Sequence, residues 1–370
     1  MNTSETSPRG NAKPGSWHSQ CAHVACGSRR RFLGSLSALG AAALVPATQA
    51  VAQAPAVITR KIDFHHHFFS PAWVKLVETK HSVKPVLGFD QFKSYSVAHD
   101  IESMDKGNVE KAFLSVTQPG VWFGDRAETR RASRELNEYA ARLKSDYKGR
   151  YGHFAVIPLP DVEGGLKEIE YAFDTLKADG VGLLSSYDDM WLGDKSFAPV
   201  WQELNRRKAV VYTHATAPGC CSWDFQPGIL PTFVELGSDL ARAMVSLIQS
   251  GTAKATPDIR YVWSHGGGSI WSQRYLTGET TASLASRAPA DSRLHHFRRF
   301  FYDTAAAADA IHMGTLKMIV PMSQVVFGSD YPWAEPTRIT AGLQSSGLTP
   351  AELQAVYRDN AFGLMPELRV

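Results

Sequence analysis

Three consecutive histidines near the start of the chain are the first residues whose type and spacing could do chemistry. They follow the short apolar run 57–62, which predicts a β-strand that continues into His65, His66 and His67. Because successive side chains of a strand point to opposite faces, His65 and His67 share one face and His66 takes the other. Two such imidazoles can bind one divalent metal ion, although the same pattern also occurs at polar strand ends that bind nothing.

Three more side chains that can bind metals come after predicted strands farther along the chain. His214 and His265 are the last residues of two apolar runs, and Asp330 follows a third. Imidazole nitrogens and carboxylate oxygens are both ligands for zinc and similar ions. These side chains can act together only if their strands end at the same place in the fold.

The elements that position them are short apolar strands alternating with helical patterns. The predicted strands are 57–62, 111–116, 151–157, 181–184, 209–214, 260–265, 300–302 and 324–327. The predicted helices are 98–105, 127–148, 161–179, 197–206, 231–250 and 305–319, and the rest of 69–108 reads as irregular. Apolar strands separated by helices indicate parallel pairing covered on both faces. Eight of them favour an α/β fold, a closed (β/α)8 TIM barrel with a short insertion after strand one; an open doubly wound sheet is the alternative.

In such a barrel the carboxyl ends of the strands form one rim, where active-site groups lie. The sequence therefore predicts a site for one divalent metal ion, zinc by default and manganese as the alternative, with these ligands: His65, His67, His214 and Asp330. His265 could be a further ligand, but it fits better as an acid/base residue, because the pKa of histidine lies near the pH at which protons are transferred.

The charge of the chain is concentrated at its start. Of its formal net charge of +3, residues 1–52 contribute five basic groups and one acidic group, which leaves 34 basic against 35 acidic groups in the remainder. A nearly neutral body gives no indication of nucleic-acid binding or of binding to an anionic membrane.

The first 52 residues have the pattern of an export signal. Arginines 29–31 precede the uncharged run 32–45 and the small residues 47–52, which is the pattern of a twin-arginine signal with an Ala-x-Ala cleavage site. The apolar run is shorter than the ~20 residues that a stable membrane anchor needs. We expect a periplasmic or secreted protein, with the export machinery as a partner, no stable membrane anchor, and one barrel domain over 57–365.

The order of the motifs resembles a known family. His-x-His after strand one, His after strands five and six and Asp after strand eight is the pattern of the amidohydrolase superfamily, amidohydrolase-related family 2. Segments 264–268 (SHGGG) and 326–332 (VFGSDYP) resemble its branch of non-oxidative decarboxylases, which contains aminocarboxymuconate-semialdehyde decarboxylase. Segments 137–141 (NEYAA) and 301–305 (FYDTA) are similar to the 6-methylsalicylate decarboxylase subgroup.

This resemblance implies a function and roles for individual residues. It implies metal-dependent release of CO₂ from a salicylate-type or related unsaturated carboxylic acid. For a salicylate, we expect Asp330 to be the proton donor and His265 to tune or relay the proton; in the related muconate chemistry, a metal-bound hydroxide and His265 would transfer it. It also implies that Arg274 binds the substrate carboxylate, although a surface arginine fits the sequence equally well.

Two other functions remain open at this point. The same site could hydrolyse a lactone or an amide, or the protein could bind a metal or ligand in the periplasm without turnover. The sequence also leaves open a homodimer.

Overall fold

The computed structural model describes residues 60–82, 86, 88–217, 230–276 and 279–369. The predicted export signal, residues 1–52, lies outside the described residues. No helix among the described residues has the length and apolar character needed to cross a membrane.

Parallel strands form the centre of the described structure. The strands are β1 (Lys61–His67), β2 (Val109–Ser115), β3 (Tyr151–Val156), β4 (Gly180–Leu184), β5 (Ser186–Tyr187), β6 (Met190–Trp191), β7 (Val210–His214), β8 (Arg260–Trp263) and β9 (Phe301–Tyr302). Among the described residues, seven of them pair in parallel in the order β1-β2-β3-β4-β7-β8-β9, while β5 and β6 form a small antiparallel pair. The predicted parallel α/β architecture is confirmed.

The predicted eighth strand is an extended segment with isolated bridges rather than a regular strand. Val326 N donates to Tyr302 O of β9 at 2.9 Å, and Phe64 N of β1 donates to Phe327 O at 2.9 Å. Farther along, His67 N donates to Tyr331 O at 2.9 Å. Residues 325–331 therefore connect the last strand of the sheet to the first, and the sheet closes into a barrel.

Helices follow most of the strands. They are α1 (Pro71–His81), α2 (Phe89–Ser94), α3 (Val97–Lys106), α4 (Arg126–Asp146), α5 (Val162–Asp174), α6 (Ala198–Arg206), α7 (Pro231–Gln249), α8 (Thr252–Ala255), α9 (Thr281–Ala285), α10 (Arg293–Arg299), α11 (Ala310–Ile319), α12 (Pro336–Ser345), α13 (Pro350–Gln354) and α14 (Ala361–Leu364). The insertion after β1 is helical, because the Ser70 side chain accepts a hydrogen bond from Trp73 N and begins α1. Likewise α11 begins later than predicted, because Asp309 accepts hydrogen bonds from Ile311 N and His312 N.

Stacked aromatic rings fill the interior of the barrel. Phe64 stacks on Phe113 with ring centroids 4.7 Å apart, and Phe113 stacks on Phe154 at 5.2 Å. Phe154 in turn stacks on Tyr212 at 5.5 Å. These rings are essentially inaccessible to solvent. They form an apolar floor beneath the carboxyl ends of the strands.

Candidate metal centre and active site

A β-bulge in β1 directs the first histidine into the barrel mouth. Between two of their paired positions, β1 advances three residues, from Asp63 to His66, while β2 advances two. The extra residue allows Phe64 and His65, neighbours in the chain, both to face the interior, since a bulge re-aims a side chain. The His65 ring accordingly lies at 5.5 Å from that of Tyr212, directly above the aromatic floor.

Three of the predicted ligands touch one another. His65 Nε2 lies 3.0 Å from His67 Nε2, and Asp330 Oδ1 lies 3.1 Å from each of these nitrogens. The ring of His214 completes the group, with its centroid 4.7 Å from that of His67 and 5.1 Å from that of His65. The structure thus brings together His65, His67, His214 and Asp330, which are 265 positions apart at the extremes.

His265 belongs to the same cluster. One potential ligand atom from each of His65, His214, His265 and Asp330 lies within 4.8 Å of the others. His265 Nε2 is 3.6 Å from Asp330 Oδ2, the carboxylate oxygen that faces away from His67. The cluster therefore contains two overlapping sets of four ligands, one with His67 and one with His265, and the assignment of His265 as the acid/base residue stays a prediction.

Asp303 is a site residue that the sequence analysis did not identify. Its Oδ2 lies 2.7 Å from His65 Nδ1, and both side chains are fully buried. Its Oδ1 accepts hydrogen bonds from the backbone N–H groups of His265 at 2.9 Å and Ala305 at 3.0 Å. One carboxylate therefore fixes the ring of His65 and the backbone of His265 together. Its position directly after β9 was the available signal.

A second buried carboxylate connects the two sides of the site. Asp63 Oδ1 accepts hydrogen bonds from His65 N and Ser329 N, both at 3.0 Å, and Oδ2 accepts one from Ser329 Oγ at 2.6 Å. These bonds fix the turn that carries Asp330 against the strand that carries the histidines.

His66 faces away from the cluster, as predicted, and is buried between carboxylates. Its Nε2 lies 2.6 Å from Asp100 Oδ1 and its Nδ1 lies 3.2 Å from Asp63 Oδ2. Burial alone would lower the pKa of His66, but Asp100 and then Asp63 outweigh burial and raise it to about 10. The two carboxylates therefore favour the protonated form of His66, which supports the strand from behind.

The electrostatics of the cluster suit a cation. Burial lowers the pKa of His67, and burial together with the neighbouring imidazoles lowers the pKa of His214 well below its usual value. Burial would raise the pKa of Asp330, but His65 and the other histidines lower it well below its usual value. For His65, burial is outweighed by Asp303 and Asp330, which raise its pKa to about 10.

These groups fit a divalent metal ion by their chemistry. The ionised carboxylate and the neutral imidazoles of His67 and His214 are forms that bind metals, and the ligand atoms are close enough to share one ion. At His65 a metal ion would take the place of the proton that Asp303 and Asp330 favour there. The carboxylate behind His65 is also the arrangement that orients a metal-binding histidine.

Backbone geometry at the site departs from the ordinary. His265 and Asp330 adopt positive φ angles of 52° and 69°, which are uncommon for residues other than glycine. At Gly328 a Cβ atom would come within 2.7 Å of His65 Cβ and 2.8 Å of Asp303 Cβ. Only glycine therefore permits the turn before Asp330 to approach these two residues.

A cavity of about 610 Å³ opens above the cluster. Its lining includes His214, His265, Asp330 and Trp333. Arg274 is instead an exposed residue of the turn Arg274–Leu276, and it is not among the described residues that line the cavity. The structure thus brings every predicted site residue together except this arginine.

Comparison with known proteins gives consistent results. The amidohydrolase family model matches residues 62–364. The chain is 32% identical over 329 residues to decarboxylase yanB of Aspergillus niger, covering 84% of this chain and 88% of that protein. It is also 32% identical over 330 residues to 6-methylsalicylic acid decarboxylase acuB of Aspergillus aculeatus, covering 84% and 97%.

Solved structures show the same fold. A 2,6-dihydroxybenzoate decarboxylase in complex with 2,6-dihydroxybenzoate has a TM-score of 0.71 at 19% identity, over 83% of this chain and 99% of that one. A dihydroxybenzoic acid decarboxylase from Polaromonas, solved with manganese and an inhibitor, has a TM-score of 0.70 at 17% identity, over 85% and 98%.

Proposed function

This chain belongs to the amidohydrolase family, and we propose that it is a metal-dependent, non-oxidative decarboxylase of salicylate-type acids. The observation that carries the proposal is the cluster of four histidines and Asp330 at the base of an open cavity. The two fungal relatives with 32% identity are both named decarboxylases, and one is named for 6-methylsalicylic acid. A 2-hydroxybenzoate is thus the substrate class that we propose.

The proposed residues for holding the ion are His65, His67, His214 and Asp330. When bound, a divalent ion would supply Lewis-acid stabilisation of the substrate's oxygen atoms. We propose zinc, and manganese is the alternative that metal analysis would reveal.

The proton chemistry is assigned to Asp330 and His265. Expelling CO₂ directly from the ring would leave an aryl carbanion, so the ring carbon that bears the carboxylate must be protonated first. We assign to Asp330 Oδ2, which lies 3.6 Å from His265 Nε2, the role of accepting the proton of the substrate hydroxyl group. Delivery of that proton to the ring carbon produces a dienone.

Completion of the reaction restores the aromatic ring. The bond between the ring carbon and the carboxylate breaks, CO₂ leaves, and its electron pair returns to the ring to give a phenolate. We assign to His265, whose Nε2 is 3.6 Å from Asp330 Oδ2, the transfer of one proton from solvent to the product. The net reaction consumes one proton and releases one CO₂.

A substrate screen tests this function. Purified protein with its metal content determined should release CO₂ from salicylate or 6-methylsalicylate, and His265→Asn should reduce kcat by about 10²-fold or more, the range for loss of an acid/base group. Hydrolysis of lactones or amides without CO₂ release would favour the hydrolase alternative. Metal binding without turnover of any acid would favour a binding protein.

We also propose export by the twin-arginine route, on the basis of the pattern in residues 1–52. Expression in a bacterial host should yield periplasmic protein that lacks these residues, as N-terminal sequencing would detect. Substituting Arg30 and Arg31 with lysine should retain the protein in the cytoplasm.

A further inference from the structure

We propose that the preferred substrate carries an apolar substituent on its ring, and that Phe233, Val234 and Ile311 bind this substituent at the cavity mouth. The inference rests on the proposed decarboxylase function, because it identifies the substrate class of that same site.

Exposed apolar side chains are concentrated around this cavity. Phe233 and Val234, in the first turn of α7, are 72% and 54% exposed, and Ile311, in the first turn of α11, is 79% exposed. All three line the cavity whose base holds Asp330. Large apolar side chains that converge on one opening mark a binding surface, whereas isolated ones need no explanation.

The cavity changes in character from its base to its mouth. His214 is buried, and the side chains of His265 and Asp330 are each 15% exposed. The polar groups of the cluster are therefore more deeply buried than the apolar side chains of α7 and α11. Leu236 and Trp271 also line the cavity and are partly buried, so they add to its apolar surface. A ligand that fits has a polar acid group at one end and an apolar group at the other.

The size of the cavity indicates that the ligand extends beyond a simple hydroxybenzoate. A volume of about 610 Å³ lies within the ~300–1,000 Å³ of pockets that bind drug-sized ligands. The cavity therefore has room for a hydroxybenzoate that carries a substituent on its ring.

Charge disfavours a second acidic group at the mouth. Of the described residues that line the cavity, none is a lysine or an arginine. His312 also lines the cavity, and its Nδ1 lies 2.6 Å from Asp309 Oδ2. This histidine is therefore already paired with a carboxylate of the protein. An alkyl or aryl substituent therefore suits the mouth better than a second carboxylate does.

A homologous series of substrates tests the inference. With holoenzyme, kcat/KM should rise about two- to fourfold per added methylene along 5-alkyl or 6-alkyl salicylates from methyl to pentyl. Fourfold corresponds to the ~0.8 kcal/mol of one fully buried CH₂ group. Phe233→Ser and Ile311→Ser should flatten this slope.

Met318→Ser is the matched control, because Met318 is 66% exposed on the same helix as Ile311 and does not line the cavity. It should leave the slope unchanged. A flat series in an enzyme that decarboxylates salicylate would overturn the inference and leave the proposed function intact. No CO₂ from any salicylate would overturn the function itself.

A third result would also overturn the inference. If Phe233→Ser or Ile311→Ser lowered kcat/KM equally for all substrates and converted an oligomer to a monomer in analytical ultracentrifugation, the apolar side chains would be an interface between copies of the chain.

Discussion

Replacing Asp303 with asparagine tests how far the metal centre depends on the carboxylate behind His65. In the neutral form of His65 that binds a metal, Nδ1–H donates to Asp303 Oδ2 at 2.7 Å, which leaves the lone pair on Nε2 facing the cluster. An asparagine can keep the two backbone hydrogen bonds to His265 and Ala305 through its oxygen, but its NH₂ group then donates to His65 Nδ1. That favours the other tautomer of His65, in which Nε2 carries the hydrogen and has no lone pair for a metal.

The expected loss of metal affinity follows from the two orientations that the asparagine amide can adopt. Rotating the amide to restore the correct tautomer breaks both backbone hydrogen bonds, at about 0.5–1.5 kcal/mol each. The total of roughly 1–3 kcal/mol corresponds to about 5- to 150-fold in metal affinity. Loss of a group that orients a metal-binding histidine typically weakens affinity or activity by about 10–100-fold, in the same range.

Titration of the metal against a competing chelator measures this effect, with circular dichroism to verify folding. Asp303→Asn should bind zinc or manganese about 10–100-fold more weakly than the natural protein and lose CO₂ release at limiting metal. Tyr212→Phe is the control, because the Tyr212 hydroxyl is 3.3 Å from the same Oδ2, and its affinity should stay within about threefold. Unchanged affinity in a folded Asp303→Asn protein would refute the tautomer argument.

Three further predictions concern stability and the arginine. Burial lowers the pKa of His153 to about 4, so the stability that its neutral form confers is complete above the unfolded-state pKa of about 6.5 and is lost as pH falls towards 4. Between pH 4 and 6.5, the free energy of unfolding measured with urea should therefore change by about 3 kcal/mol less in His153→Leu than in the natural protein. His66→Ala should lower the free energy of unfolding by about 3–5 kcal/mol at pH 7, measured in the same way, because it leaves Asp63 and Asp100 buried without their cation. Arg274→Ala should change kcat/KM for salicylate by less than twofold, and a tenfold loss would restore the predicted role of this arginine.

Much of the site could be predicted because one rule connects sequence to position. Side chains that follow parallel strands meet at one rim, and that rule places His214, His265 and Asp330 beside the first histidines without any knowledge of distances. Asp303 obeys the same rule but was missed, because β9 has only two residues and its end carries little sequence signal.

Other features depend on partners that are distant in sequence. The bulge in β1 arises from its pairing with β2, so the alternation of residues along β1 alone cannot reveal it. The ion cluster of His66 needs Asp100, which lies 34 residues away in α3. The spacing of Arg274 from His265 gives a distance along the chain but no direction in space.

The closing segment, residues 325–331, has a consequence for how the protein loses activity. His65 and His67 lie on one side of the junction between this segment and β1, and Asp330 lies on the other. The junction has isolated bridges, whereas neighbouring strands of the seven-stranded parallel sheet pair through ladders of at least two residue pairs. Local opening there would separate Asp330 from the histidines while most of the sheet stays protected from hydrogen exchange. A ligand that bound both the histidines and Asp330 would oppose this opening by mass action. The fraction of protein able to catalyse the reaction would therefore depend on the same equilibrium as local unfolding.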